Sequence, residues 1–232
     1  MRKLQFLIGA VAMALAGASG ASAAIQLTLS SGGTTIVVND QDFVPVLPAT
    51  HIDSNPAAGQ VTYIGSIGNW TLNVSTGTVG TNPLIDLNSV NTYNTTGGNP
   101  GPLTITFSAT DYNGPVAFGF DSHIGGTLAN GHSLTYQGYF DPNNGLNSQN
   151  TAIGNLLQFG PGGAFSAGAG GVQVVPAGNY SLTQVVTISA NANGTSSFNA
   201  AINVTPEPAS VVLLSGVLVA VVAGLRRKAR AA

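Results

Sequence analysis

Leu103-Thr104-Ile105-Thr106-Phe107 and Trp70-Thr71-Leu72-Asn73-Val74 decide the fold class. In each, apolar and polar side chains alternate, and a period of two places one set on each face of an extended strand. Ile25-Gln26-Leu27-Thr28-Leu29 and Val61-Thr62-Tyr63-Ile64 repeat the pattern. Thr34–Val38, Val116–Phe120, Leu134–Phe140, Val172–Val175, Tyr180–Ile188 and Phe198–Val204 are further candidate strands. Between them stand Asn113-Gly114-Pro115, Asn144-Gly145 and Asn193-Gly194, combinations that favour turns. Many short strands without an amphipathic helix predict an all-β fold: one antiparallel β-sandwich or jelly-roll-like domain over residues 24–204.

Two stretches fit the pattern less well. Thr95–Pro102 reads as a long loop, and Gly160–Gly171 is rich enough in glycine to resemble a linker. Too little chain follows the second for a separate core, so the last strands are expected to return to the main sheets. Asn179–Ile188 and Phe198–Val204 read as a closing hairpin.

Charge divides the chain sharply. Its six Lys and Arg are Arg2, Lys3, Arg226, Arg227, Lys228 and Arg230, all near the ends. Between Ala24 and Thr205 the acids are Asp40, Asp42, Asp53, Asp86, Asp111, Asp121 and Asp141, with no Lys or Arg. Such a body cannot neutralise phosphates, which excludes nucleic acid as a partner. Cysteine is absent, so neither disulfides nor thiolate chemistry contribute.

Both ends carry address signals. Arg2 and Lys3 precede an apolar run from Leu4 to Leu15, and Ala21-Ser22-Ala23 offers a small-residue cleavage site; residues 1–23 read as a Sec-type signal peptide with cleavage before Ala24. At the other end, Pro206-Glu207-Pro208 precedes an uncharged run from Ala209 to Leu225, which as a helix would reach roughly 25 Å, near the lower limit for a transmembrane span. Arg226, Arg227, Lys228 and Arg230 follow as a stop-transfer signal. The expected organisation is therefore an exported body between a signal peptide and a C-terminal tail, residues 205–232, containing a membrane helix over 209–225.

This ordered tail resembles the PEP-CTERM sorting signal of Gram-negative bacterial surface proteins. The resemblance covers about residues 204–230 and implies recognition of Pro206, Glu207 and Pro208 by an exosortase, a membrane enzyme that removes the tail. The body would then pass from transient inner-membrane anchoring to the cell surface or extracellular matrix.

The body's chemistry is less specific. Asp121-Ser122-His123 has the residue types of a catalytic triad, but neighbours on a strand face opposite ways, and no Gly-x-Ser-x-Gly turn is present. His123 and His132 flank glycines at 125, 126 and 131, which reads first as two loop histidines without a metal; the alternative is a turn that brings the two imidazoles together with Asp121 as a metal site. Asp40 and Asp42 alternate in Asn39-Asp40-Gln41-Asp42 as candidate calcium ligands, although the full calcium-loop pattern is absent and no cofactor is required. Trp70 and the tyrosines offer either core packing or stacking faces for neutral sugar. The sequence favours a non-enzymatic secreted surface or matrix protein; the alternative is a carbohydrate-binding module or glycan-active enzyme of an exopolysaccharide matrix.

Overall fold

The structure, a computed structural model, describes residues 23–43, 52–78, 84–93, 101–113, 118–173 and 178–205. Ala21, the sorting residues Pro206, Glu207 and Pro208, the 209–225 segment and Arg226, Arg227, Lys228 and Arg230 lie outside the described residues. The described chain is all β, with twelve strands: β1 (Ile25–Ser31), β2 (Thr34–Asn39), β3 (Thr62–Ile67), β4 (Trp70–Thr78), β5 (Ile85–Tyr93), β6 (Leu103–Asn113), β7 (Phe118–Leu128), β8 (His132–Asp141), β9 (Thr151–Phe159), β10 (Gly163–Gln173), β11 (Asn179–Ala190) and β12 (Gly194–Thr205). They form two six-stranded antiparallel sheets, ordered β2-β1-β6-β11-β8-β9 and β10-β7-β12-β5-β4-β3.

Alternation explains the packing. In β1, Ile25, Leu27 and Leu29 are buried while Gln26, Thr28 and Ser30 are only partly covered, and Leu27 lies opposite Val38 of β2 and Phe107 of β6. The β1–β2 connection is just Gly32-Gly33, both with positive φ (57° and 81°), a backbone that glycine adopts without a Cβ penalty and that matches the twist of a hairpin. The inner residues of both sheets form one core cluster, which includes Leu29, Ile105, Phe107 and Val186 together with Leu72, Leu87, Ile124 and Phe198. Trp70 is completely buried at 4.8 Å from the Tyr93 ring.

The second half of the chain passes repeatedly between sheets. β7, β10 and β12 join the second sheet, whereas β6, β8, β9 and β11 belong to the first. Asn179–Ile188 and Phe198–Val204 are therefore not a hairpin. β11 lies between β6 and β8, and β12 lies between β7 and β5. With both edges of each strand already hydrogen-bonded to these neighbours, neither has an edge left for the other. The final strands do return to the main sheets, where they occupy interior positions.

Most of Gly160–Gly171 is strand rather than linker. β10 pairs with β7 from Gly163↔Leu128 to Gln173↔Phe118. Small residues are used here for close approach between the edges β9 and β10: a Cβ on Gly154, whose φ is +68°, would stand 2.6 Å from Ala169 Cβ and 2.9 Å from the Gly170 nitrogen. Nearby, the Phe159 and Phe165 rings meet at 4.5 Å. Gly125 and Gly126 likewise lie within β7, and the bend expected at them falls instead between Leu128 and His132. A Cβ on Gly126 would overlap the Ser197 carbonyl oxygen and stand 2.8 Å from Phe198 Cα. Because backbone rather than a flexible side chain blocks that position, Gly126→Ala should lower stability by about 1–3 kcal/mol. Urea unfolding of the two proteins measures this; equal midpoints and slopes would show that β7 and β12 separate without cost.

Candidate functional site

β7 settles the fate of the triad residues. Ser122 faces inward, where its hydroxyl donates to the carbonyls of Ala169 (3.0 Å) and Ile153 (3.4 Å), while Asp121 and His123 occupy the outer face. The three cannot form a relay. His132, at the start of β8, is fully buried and apart from His123. Its Nε2 is 3.0 Å from the Ala192 carbonyl, which only accepts, so Nε2 carries the proton and Nδ1 accepts from Ser196 Oγ at 2.8 Å. That oxygen also accepts from Ala129 N at 3.0 Å. The His132 ring stands edge-on to Trp70 and Tyr93, at 5.9 and 6.2 Å. His123 and His132 are strand residues rather than loop residues, and the alternative of a metal site shared between them finds no support: β7 and β8 belong to different sheets, and among the described residues no three His, Asp or Glu converge to hold a metal ion.

Trp70, Tyr63, Tyr93 and Tyr136 are core residues and offer no stacking face to a sugar. Tyr112 and Tyr139 are partly exposed, and the Tyr112 hydroxyl donates to the Leu84 carbonyl at 2.9 Å.

The polar side chains that do assemble lie on the outer face of the second sheet. Register places Asp86 of β5 opposite Ala201 of β12, and Ala201 opposite His123 of β7. Asn203↔Asp121 forms the adjoining pair, and Asn88, Asn199 and Gly125 form the row on the other side. His123 Nδ1 is 3.0 Å from the Asn203 carboxamide nitrogen and 3.8 Å from Asp121 Oδ2. As the amide donates to Nδ1, the neutral ring holds its proton on Nε2. Burial pushes the Asp86 carboxyl above its ordinary range, opposed by the nearby His123 and by a hydrogen bond from the Leu87 backbone. The alternate residues of β10 beside this patch are Ser166, Gly168 and Gly170, so no bulky side chain walls it off on that edge. The strip presents carboxylates, an imidazole and carboxamides, a donor and acceptor set suited to hydroxyl groups and unsuited to anions. The sequence alone singles out Asp121 and His123 but not Asp86 and Asn203, because only register brings the four together.

Away from that face, carboxylates fasten loops. Asp53 is buried and accepts from the backbone nitrogens of Asn55 (2.9 Å), Thr62 (2.9 Å) and Gln41 (3.2 Å). Asp40 Oδ2 accepts from Gly59 N at 2.9 Å, and the Asp42 carbonyl accepts from Asp53 N at 3.1 Å. The calcium candidates Asp40 and Asp42 therefore sit in a loop whose inner carboxylate, Asp53, is already occupied by backbone donors. Asp141 holds the 141–150 segment: Asn143 N and Asn150 Nδ2 donate to Oδ1, and Gly145 N to Oδ2.

Comparisons with known proteins assign no family. No protein-family model matches the chain, and no curated protein matches it. Among solved structures it is similar to the enzymatically active domain of bacteriophage CBA120 tailspike protein 4, at 18% identity and a TM-score of 0.31, over 61% of this chain and 20% of that one. It is also similar to TmCBM61 in complex with β-1,4-galactotriose (13% identity, TM-score 0.30, 62% and 92% of the respective chains). A third likeness is to the K3 adhesin domain of Lys-gingipain from Porphyromonas gingivalis w83 (15%, 0.29, 64% and 92%). Scores this low carry neither a fold assignment nor a function.

Asp141 gives the structure a defined acid response. Burial alone would raise its carboxyl, but donors from Asn143, Asn150, Ser148 and Gly145 outweigh burial and hold it at about 2. An unfolded aspartate titrates near 3.9, so this contribution is complete above about pH 4 and disappears as pH falls toward 2. Asp141→Asn should lower the melting temperature at pH 7 by about 3–10 °C. The gap between variant and wild type should close between pH 4 and 2 in thermal melts; a gap independent of pH would mean that the charge is not what holds the loop.

Proposed function

We propose that the chain is a non-enzymatic exported protein of the cell surface or extracellular matrix, delivered through the inner membrane and released by an exosortase-like enzyme. The supporting observation is the junction between body and tail. β12 is an interior strand that runs to Thr205, and Pro206, which has no amide hydrogen to extend a ladder, follows at once. In the sequence the proposed recognition segment therefore follows the last strand with no linker between them. The separation of charge agrees: all cations belong to the address signals and none to the body. Glu207→Ala leaves the apolar run and its cations unchanged, so it should cause uncut protein to accumulate in the membrane fraction of a host that carries an exosortase. Intact-mass measurement of the released protein is the decisive check; a wild-type species that still carries residues 209–225 would leave a plain anchor.

The outer face of the second sheet favours one further reading of the body, a carbohydrate-binding module or glycan-active protein of the matrix. Asp86, Asn88, Asn199, Asn203 and His123 offer hydroxyl-binding groups without a cation, which suits a neutral polysaccharide. Co-sedimentation of the exported protein with the producer's own polysaccharide tests this. Asn88→Ala combined with Asn199→Ala should weaken retention about tenfold while the melting temperature stays within a few degrees; equal retention removes this face from consideration.

A further inference from the structure

Ala24 precedes β1 and is paired with β6 through Thr110. Its nitrogen donates to Thr110 Oγ1 at 3.0 Å, and its carbonyl accepts from Thr110 N at 3.0 Å. The same hydroxyl donates to Asp111 Oδ2 at 3.0 Å. The Ala24 nitrogen therefore stands no more than about 6 Å from a carboxylate oxygen. This carboxylate is a fixed anion. Its Oδ1 accepts from Asn144 Nδ2 (2.8 Å) and Asn179 Nδ2 (3.0 Å), while Asn144 Oδ1 accepts from Asp111 N (2.8 Å). Burial opposes ionisation here, but the bonds from Asn144, Thr110 and Asn179 prevail and keep the carboxyl below its ordinary range.

On the other side of β1 stands Asp40. Its Oδ2 is engaged by Gly59 N, whereas its Oδ1 is buried with no hydrogen-bond partner among the described residues. Ala23, Ala24, Asn39 and Asp40 all line one cavity of about 240 Å³. Two aspartates thus flank the start of β1 in a body that has no Lys or Arg from Ala24 to Thr205.

We propose that cleavage before Ala24 creates the one fixed cation of residues 24–205, an α-ammonium held by Thr110 against the Asp111 carboxylate, with Asp40 in the same cavity. The proposal rests on the signal-peptide reading and adds a structural role for the cut. Hydrolysis of the Ala23–Ala24 amide by a signal peptidase consumes one water and leaves a carboxylate on Ala23 and an amine on Ala24, which is protonated at neutral pH. Thr110 Oγ1 already accepts from that nitrogen, so the new charge needs no rearrangement to reach its partner. Processing then does more than release the body: it supplies the counter-charge that its acids lack and fastens the first strand of the sheet. Asp111 on β6 and Asp40 after β2 are the titratable groups that the neighbouring elements bring to it.

The test uses the full chain exported from a Sec-competent host, with the first residue read by intact mass. Acetic anhydride acylates only the free amine, so the rate of acetylation of the N-terminal peptide against pH reports the ammonium directly. In the folded wild type the midpoint should lie about half to one unit above that of the same chain unfolded in urea. Asp111→Asn, nearly isosteric, should remove most of the difference, and Asp40→Asn, which leaves the Asn144 bonds intact, should remove part of it. A first residue other than Ala24 overturns the processing reading and the proposal with it. A start at Ala24 with an unshifted midpoint overturns the docking alone. A lower plateau rate with an unshifted midpoint overturns the docking as well, since it reflects steric shielding without charge pairing.

Discussion

A body without lysine or arginine holds its buried carboxylates, Asp53 and Asp141, with neutral donors, and much of this structure follows from that constraint. A carboxylate removed from water without partners is costly, whereas one that accepts several hydrogen bonds is a strong local organiser because charged acceptors bind donors more tightly than neutral ones. Asp53 collects backbone nitrogens from Gln41, Asn55 and Thr62, and so ties the segment after β2 to the start of β3. Asp141 gathers Asn143, Gly145 and Asn150 and shapes the long β8–β9 connection. Asp111 reaches across to Asn144 of that same connection and to Asn179 at the start of β11. The abundance of asparagine in these segments has a physical role, since the carboxamides of Asn144, Asn150 and Asn179 donate to carboxylates without adding charge. Asn144 and Asn147 also take positive φ (59° and 57°), which asparagine tolerates better than most residues.

The two sheets are joined by polar contacts as well as by apolar packing. Gln184 of β11 donates through Nε2 to the Ile85 carbonyl of β5 at 3.1 Å, and its Oε1 accepts from the Tyr136 hydroxyl at 3.2 Å. Gln184 is fully buried, so this bridge across the core has fully buried members that have no water to turn to. Burial pushes the Tyr136 hydroxyl far above its ordinary range, and it remains a donor throughout the accessible pH range. Such a bridge works against sliding of one sheet over the other, because a shift along the strands would leave both the carbonyl and the amide unpaired.

Alternation makes most of the strands legible in the sequence, and the exceptions have physical causes. β5 escapes because Ser89 and Asn91 face inward and are completely buried, bonded to one another at 2.7 Å, while Val90 faces out with 43% exposure; its apolar pattern is inverted at its centre. β9 is similarly masked, with Leu156 51% exposed and Gly154 in the left-handed region. β10 has the composition of a linker, but its Gly168 and Gly170 lie against the β7 backbone and Gly154 of β9 is the glycine that lets the two edges approach, relations that arise only in three dimensions. The partnership of strands is less legible still. Residues 180–188 and 198–204 are near in sequence and separated by a turn signal, the local appearance of a hairpin, but which sheet each joins depends on the whole arrangement.

The outer-face cluster shows the same limit at the level of chemistry. Asp121 and His123 are visible as a pair because a strand places alternate residues on one side. Asp86 and Asn203 come from β5 and β12, and only the register Asp86↔Ala201↔His123 and Asn203↔Asp121 makes them neighbours. Charge partition, in contrast, is a property of the chain itself and is legible from the start. Lys and Arg are confined to the ends of the sequence, and within the body Asp40, Asp53, Asp111 and Asp141 fasten loops, whereas Asp86 and Asp121 stand with His123 among the carboxamides of the second sheet's outer face. The order of charge along a chain is read directly from its sequence, whereas the set of polar groups that a sheet face gathers depends on where register places them.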